Sequence, residues 1–72
     1  MRCSDAIFVA LEDAGLIALH IHFGPHQTWY DVTPGKRAEV DARVRAMVDA
    51  IPRDAAFRRS VHRIVTRLLV GG

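Results

Sequence analysis

The most regular pattern of apolar and polar positions lies over residues 34–51. Apolar side chains recur there at steps of three and four residues: Val40, Val44, Met47, Val48 and Ile51. This period predicts an amphipathic helix with one buried face. Thr33 is placed to cap its start, Pro34 suits its first position, and Pro52 marks its end. Two acids precede arginines by four residues, a spacing that stabilises helices: Glu39 with Arg43, and Asp41 with Arg45.

A second helix is predicted over residues 54–70, with Asp54 as its cap. Its large apolar residues share one face: Phe57, Val61, Ile64, Val65, Leu68 and Leu69. Arginines at four-residue steps lie on the opposite face: Arg59, Arg63 and Arg67. Gly71–Gly72 is predicted to end the helix. The β-branched content of residues 60–70 also allows a strand, but a helix separates apolar from charged side chains more cleanly.

Strict alternation over residues 16–23 predicts a β-strand. Its two faces carry different residues: Ile17, Leu19, Ile21 and Phe23 on one, and Leu16, Ala18, His20 and His22 on the other. A second strand over residues 27–33 follows a turn at Gly24–Pro25. Alternation within it assigns two sets: Tyr30 and Val32 toward the core, and Trp29 outward with Asp31 and Thr33.

The segment before these strands is open to two interpretations. As a strand over residues 6–12, it leads into a hairpin loop that ends at Gly15. As a helix capped by Ser4 and closed by Gly15, it is apolar on every side. Glu12 and Asp13 then fall in its last turn, where the helix dipole disfavours acids. We therefore favour the strand.

These elements predict one α+β domain over residues 1–72. It is a small antiparallel β-meander of two or three strands followed by two α-helices packed on one sheet face. The predicted bounds are about 6–12, 16–23 and 27–33 for the strands, and about 34–51 and 54–70 for the helices. The alternative is a helix, a two-stranded hairpin and two helices.

Length and composition narrow the class of protein. A chain of 72 residues has a marginal core, so a partner protein or a second copy is an expected source of stability. Cys3 is the only cysteine, which excludes an internal disulfide and fits a reducing compartment. No signal-peptide pattern and no apolar run of ~20 residues is visible, so we expect a cytoplasmic protein without a membrane span. Lys36 is the only lysine and asparagine is absent, which indicates a GC-rich bacterium or its phage.

Three histidines fall close together: His20, His22 and His26. Histidines two apart on a strand project from one face and can present two imidazoles to a metal ion. The pattern lacks the cysteine or glutamate partners of a specific metal motif, so we interpret these histidines as structural and predict no metal or cofactor. Phosphate-loop, nucleophile-elbow and zinc signatures are absent as well. We therefore predict no catalytic residues and expect a protein that is not an enzyme.

Charge is distributed unevenly, with an acidic segment over residues 1–33 and a basic one over residues 53–72, although the net charge is only +2. An outward tryptophan and a basic helix face are typical contact surfaces. The predicted partner-binding residues are Trp29, Arg59, Arg63 and Arg67. We expect a protein-binding module that acts as an accessory subunit, inhibitor or assembly factor of a larger complex, or that forms a homodimer. The alternative is a nucleic-acid-binding module whose last helix contacts phosphates through Arg58, Arg59, Arg63 and Arg67.

Overall fold

The computed structural model describes residues 2–21 and 28–72. Within them the chain forms three helices and a three-stranded mixed sheet, which confirms the α+β class. In chain order the elements are α1 (Cys3–Asp13), β1 (Ile17–Ile21), β2 (Thr28–Val32), α2 (Arg37–Asp49), α3 (Ala55–Leu68) and β3 (Leu69–Val70). The predicted turn at Gly24–Pro25 lies outside the described residues. None of the described helices is long and apolar enough to cross a membrane.

The strand predicted over residues 6–12 is wrong, because these residues form most of α1. The helix buries three large side chains along one face: Ile7, Phe8 and Leu11. Ala6 and Ala10 are exposed, and alanine suits an exposed helical position well. When alanine is counted as an apolar residue, the segment has no polar face, and its amphipathic pattern is not visible. Glu12 and Asp13 in the last turn cost about 0.3–1 kcal/mol each. Burial of each large side chain contributes roughly 1.5–3 kcal/mol, so burial decides the structure.

Gly15 ends α1 in a left-handed conformation, with φ +73°. Its N–H donates to the carbonyl of Glu12 (2.9 Å), and the N–H of Leu16 donates to the carbonyl of Leu11 (3.0 Å). These two bonds form a Schellman motif. Leu11 and Leu16 are both buried in the core, so the motif turns the chain sharply from α1 into β1.

The sheet has the order β1-β2-β3, so β2 is the central strand. β1 and β2 are antiparallel, with paired residues sharing a face: Ile17 with Val32, Leu19 with Tyr30 and Ile21 with Thr28 on one side, and Ala18 with Asp31 and His20 with Trp29 on the other. β3 runs parallel to β2 and pairs Leu69 with Tyr30. The third strand therefore comes from the end of the predicted second helix, and the predicted all-antiparallel meander is corrected.

α2 begins at Arg37, later than predicted, because residues 33–36 form a turn. The N–H of Lys36 donates to the carbonyl of Thr33 (3.0 Å), and Gly35 has φ +80°. With a proline before the glycine, this is the pattern of a type II turn. Thr33 is thus not a helix cap. Its hydroxyl donates instead to the carbonyl of Gly15 (3.0 Å), which links the segments that flank the β1–β2 pair.

The predicted apolar face of α2 is confirmed by its three buried valines. That of α3 is confirmed at Val61 and Val65, but Ile64 is 46% exposed and Leu69 belongs to β3. Asp54 caps α3 as expected, its Oδ1 accepting from the N–H of Phe57 at 2.8 Å. One core collects buried residues from every helix and strand: Ile7, Phe8, Leu11, Leu16, Ile17, Val32, Val40, Val44, Val48, Val61, Val65 and Leu69. Its sheet residues belong to a single face, so the helices cover that face.

Arg37 ties the short β3 to α2. Its Nη1 donates to the carbonyls of Leu69 (3.2 Å) and Gly71 (3.3 Å), and its Nε pairs with Asp41 (3.1 Å). β3 has only two residues, so it forms few backbone hydrogen bonds with β2. The bonds from Arg37 add to them in holding β3 in place.

Candidate binding surfaces

The sheet face opposite the helices, which we call the outer face, consists among the described residues of Ala18, His20, Trp29, Asp31 and Val70. None of these five is buried: Ala18, Asp31 and Val70 are exposed, and His20 and Trp29 are half-buried. The predicted alternation of β2 is confirmed, since Val32 is buried and Tyr30 packs against the core. The outer face is thus an accessible surface of mixed character.

Trp29 is held in place on the outer face by its neighbours. Its ring stacks on the ring of His20, with centroids 4.2 Å apart and planes 11° from parallel. Its Nε1 donates to Oδ1 of Asp31 at 3.0 Å. The other carboxylate oxygen of Asp31 lies 3.5 Å from Nδ1 of His20. The three side chains therefore form one cluster, in which the indole has a fixed orientation without being buried.

Tyr30 anchors the same strand from the helix side. Its ring stacks on Phe8 of α1, with centroids 4.1 Å apart and planes 11° from parallel. Because neighbouring residues on a strand point to opposite faces, this anchor beneath β2 fixes the position from which Trp29 projects. Burial raises the pKa of the Tyr30 phenol from its usual 10.0, and the nearby carboxylates of Glu12 and Asp5 raise it further.

A second surface lies between α2 and α3. It is an open groove of about 520 Å³, which we call the basic groove, and its charged and imidazole lining is Arg45, Asp49, Arg58, Arg59, His62 and Arg63. Four guanidinium groups against one carboxylate give this lining a surplus of three positive charges, not counting the histidine. An adjoining groove of about 560 Å³ continues past Arg45 and His62 to Arg37 and Asp41. The arrangement is suited to an extended anion.

Ion pairing within α2 leaves Arg45 available to the basic groove. The predicted pair of Glu39 with Arg43 is present at 3.4 Å. Asp41 pairs with Arg37 at 3.1 Å, not with Arg45 as predicted. In the described part of the chain, no carboxylate lies within 4.0 Å of Arg45.

The predicted contact arginines of α3 differ in their surroundings. Arg59 and Arg63 are exposed and line the basic groove, while Arg67 is exposed but lies outside its lining. Arg58 is half-buried, and its Nη1 donates to the carbonyl of Arg53. That bond orients Arg58 along the groove wall and reduces its freedom to contact a ligand.

Of the three clustered histidines, only His20 belongs to the described residues; His22 and His26 lie outside them. His20 stands with Trp29 and Asp31 on the outer face, as described above. Across residues 2–21 and 28–72, no three His, Cys, Asp or Glu side chains converge as a metal site would require. The fourth histidine, His62, lies on α3 in the basic groove.

No protein-family model, curated protein or solved structure matches this chain.

Sequence reasoning missed two members of these surfaces. Arg45 was assigned to an ion pair within its helix, and its approach to α3 depends on how two helices dock, which local spacing does not specify. Asp31 was placed on the outward set of β2, but its bonds to Trp29 and His20 depend on the register of β1 with β2. The i, i+2 spacing of Trp29 and Asp31 on one strand face was the available signal.

The phenol of Tyr30 provides a pH-dependent test of this packing. The folded state favours the neutral phenol, so its pKa is above that of the unfolded chain. Stability from this source is fully present below pH about 10 and falls as the pH rises through the folded pKa. Tyr30 is the only tyrosine, so phenolate absorbance should titrate at higher pH in the native protein than in urea. Titration at the same pH in both states would show that Tyr30 is not packed beneath α1.

Proposed function

We propose that this protein is a small non-enzymatic module that binds a larger protein through its outer face. The observation that supports this most is the orientation of Trp29, fixed by the ring of His20 and the carboxylate of Asp31 on the accessible outer face. Tryptophan is among the residues most enriched at binding hot spots. An indole already held in position loses little conformational freedom on binding, which favours affinity.

The surroundings of Trp29 fit a contact surface of this kind. Ala18 and Val70 flank Asp31 in the sheet and are exposed, so small apolar side chains lie next to the cluster of His20, Trp29 and Asp31. The exposed carboxylate of Asp31, on the central strand, keeps the face hydrated when it is unbound. The arginines of α3 are a proposed second contact region, where Arg59, Arg63 and Arg67 attract an acidic partner and speed its association.

The proposed roles are an accessory subunit, an inhibitor or an assembly factor in the cytoplasm of a bacterium or its phage. A cytoplasmic location is supported by Cys3, a single exposed thiol, since reducing compartments preserve free thiols.

Substitution of Trp29 tests the proposed contact. A photo-crosslinking residue in place of Val70, on the strand farthest from the β1 edge, captures the partner in cells. The same residue at Ala38 on α2 controls for collisions, because both positions are exposed. With the captured partner purified, calorimetry should show that Trp29→Ala weakens binding by about 30-fold or more, the loss typical of a hot spot of about 2 kcal/mol.

The matched control is Ile64→Ala, which shortens a side chain that is 46% exposed on α3, away from the outer face. It should leave the dissociation constant unchanged. Equal affinity of Trp29→Ala and the parent protein, with circular dichroism of both unchanged, would rule out the outer face as the contact.

Nucleic-acid binding is a second candidate, favoured by the basic groove. Arg45 joins Arg59 and Arg63 from a different helix, and none of the three is neutralised by a carboxylate in the described part of the chain. Phosphates spaced along a backbone are the anions that such a row of guanidinium groups matches.

Fluorescence anisotropy with single-stranded RNA and with a DNA duplex, over a salt series, tests this candidate. If the groove binds phosphates, Arg45→Gln, Arg59→Gln and Arg63→Gln should each weaken binding and each lower the salt dependence by about one phosphate contact. Arg43→Gln is the matched control, because it removes an equal charge from α2 at a residue already paired with Glu39. Absence of binding at low salt, or an equal loss with Arg43→Gln, would exclude the groove as a nucleic-acid site.

A further inference from the structure

β1 is an edge strand with one side of its backbone unpaired among the described residues. The N–H of Thr33 donates to the carbonyl of Leu16 (2.9 Å), which makes these two a hydrogen-bonded pair. In an antiparallel ladder such pairs alternate with non-bonded ones. The register therefore directs the amide groups of Ala18 and His20 toward β2. Three residues direct theirs outward, away from the sheet: Ile17, Leu19 and Ile21.

Over residues 17–21, the β1 edge lacks the charged residues and prolines that commonly prevent edge strands from pairing. Its sequence, IALHI, contains no lysine, acid, proline or glycine, whereas natural sheets protect edges with charges, prolines and bulges. It also exposes apolar side chains on the helix side of the sheet, since Leu19 is 44% and Ile21 is 70% exposed, although Ile17 is buried. One end of the strand is covered by helices and the other is not.

We propose that the β1 edge pairs with β1 of a second copy of this chain, antiparallel and about a twofold axis through Leu19. This inference does not rest on the proposed function, because it is argued from the backbone edge of β1, although Ala18 and His20 of the outer face lie beside that edge. In this register Leu19 lies opposite Leu19 of the second copy, and Ile17 opposite Ile21. The outward amide groups of both strands then meet, with roughly six hydrogen bonds between the copies.

Self-pairing fits this strand because each half complements the other. The exposed Ile21 of one copy lies opposite Ile17 of the second copy. Ile17 marks the end of that strand that the helices of the second copy cover, where it is buried. On the outer face, the imidazole of His20 lies opposite the small Ala18, so two bulky or charged groups do not oppose each other. The twofold axis makes the interface isologous, as in most homodimers, and extends the sheet to six strands with all helices on one side.

The mass in solution is the first test. The parent protein at micromolar concentration should have twice the 8.0 kDa mass of one chain by light scattering. Leu19→Lys should be monomeric, because it places two like charges together at the twofold axis. Ile64→Lys is the matched control, with the same charge at a position 46% exposed on α3, and it should remain a dimer. A monomeric parent protein, or a dimeric Leu19→Lys, would overturn the proposal.

Cysteine cross-linking tests the register and does not rely on a disrupted variant. In a Cys3→Ser background, Leu19→Cys should form an intermolecular disulfide under mild oxidation, because directly opposite residues have Cα atoms about 5.5 Å apart. His20→Cys in the same background should not, because its two copies are offset along the strands to about 8 Å. Cross-linking of His20→Cys but not Leu19→Cys would reject this register.

Discussion

Burial of one sheet face beneath the helices is the constraint on which the rest of this structure depends. Side chains alternate across a strand, so when Ile17, Val32 and Leu69 enter the core, their neighbours must face the other way. The orientation of Trp29 and Asp31 therefore follows from the packing of residues beside them. A chain of 72 residues has no further element among those described that covers the outer face.

The two candidate surfaces are made by different parts of this arrangement. The outer face contains only strand residues, and its cluster of His20, Trp29 and Asp31 depends on the register of β1 with β2. Among the described residues, the basic groove is lined by side chains of α2 and α3, and it depends on how these two helices dock. Each surface can therefore be altered without disturbing the other, and variants on one serve as controls for the other.

The sequence predicted much of the fold because period and length agreed for most elements. The stripe of α2, the cap at Asp54 and the alternation of β2 required only local chemistry. α1 was predicted as a strand because its alanines, counted as apolar, obscured the amphipathic face. The unfavourable interaction of its terminal acids with the helix dipole is smaller than the stabilisation from burying Phe8 and its neighbours. β3 could not be predicted, since two residues at a helix end have no period of their own.

The candidate residues were less predictable than the elements. Trp29 could be assigned to a face by alternation alone. Arg45 lacks its predicted ion pair because Asp41 pairs with Arg37 instead. Arg37 is positioned there by its hydrogen bonds to the carbonyls of Leu69 and Gly71. That arrangement joins residues more than thirty positions apart, and no local spacing encodes it.

The most direct test of the account is a methyl-resolved NMR measurement with a soluble gadolinium chelate, which broadens the signals of solvent-accessible groups. Neighbouring residues on the same strands form matched pairs, Ala18 with Ile17 and Val70 with Leu69. We expect strong broadening of the Ala18 and Val70 methyls and protection of Ile17 and Leu69, because the described helices cover one sheet face and leave the other exposed. Equal protection within both pairs would contradict it, since the outer face would then be covered and unable to act as the contact surface.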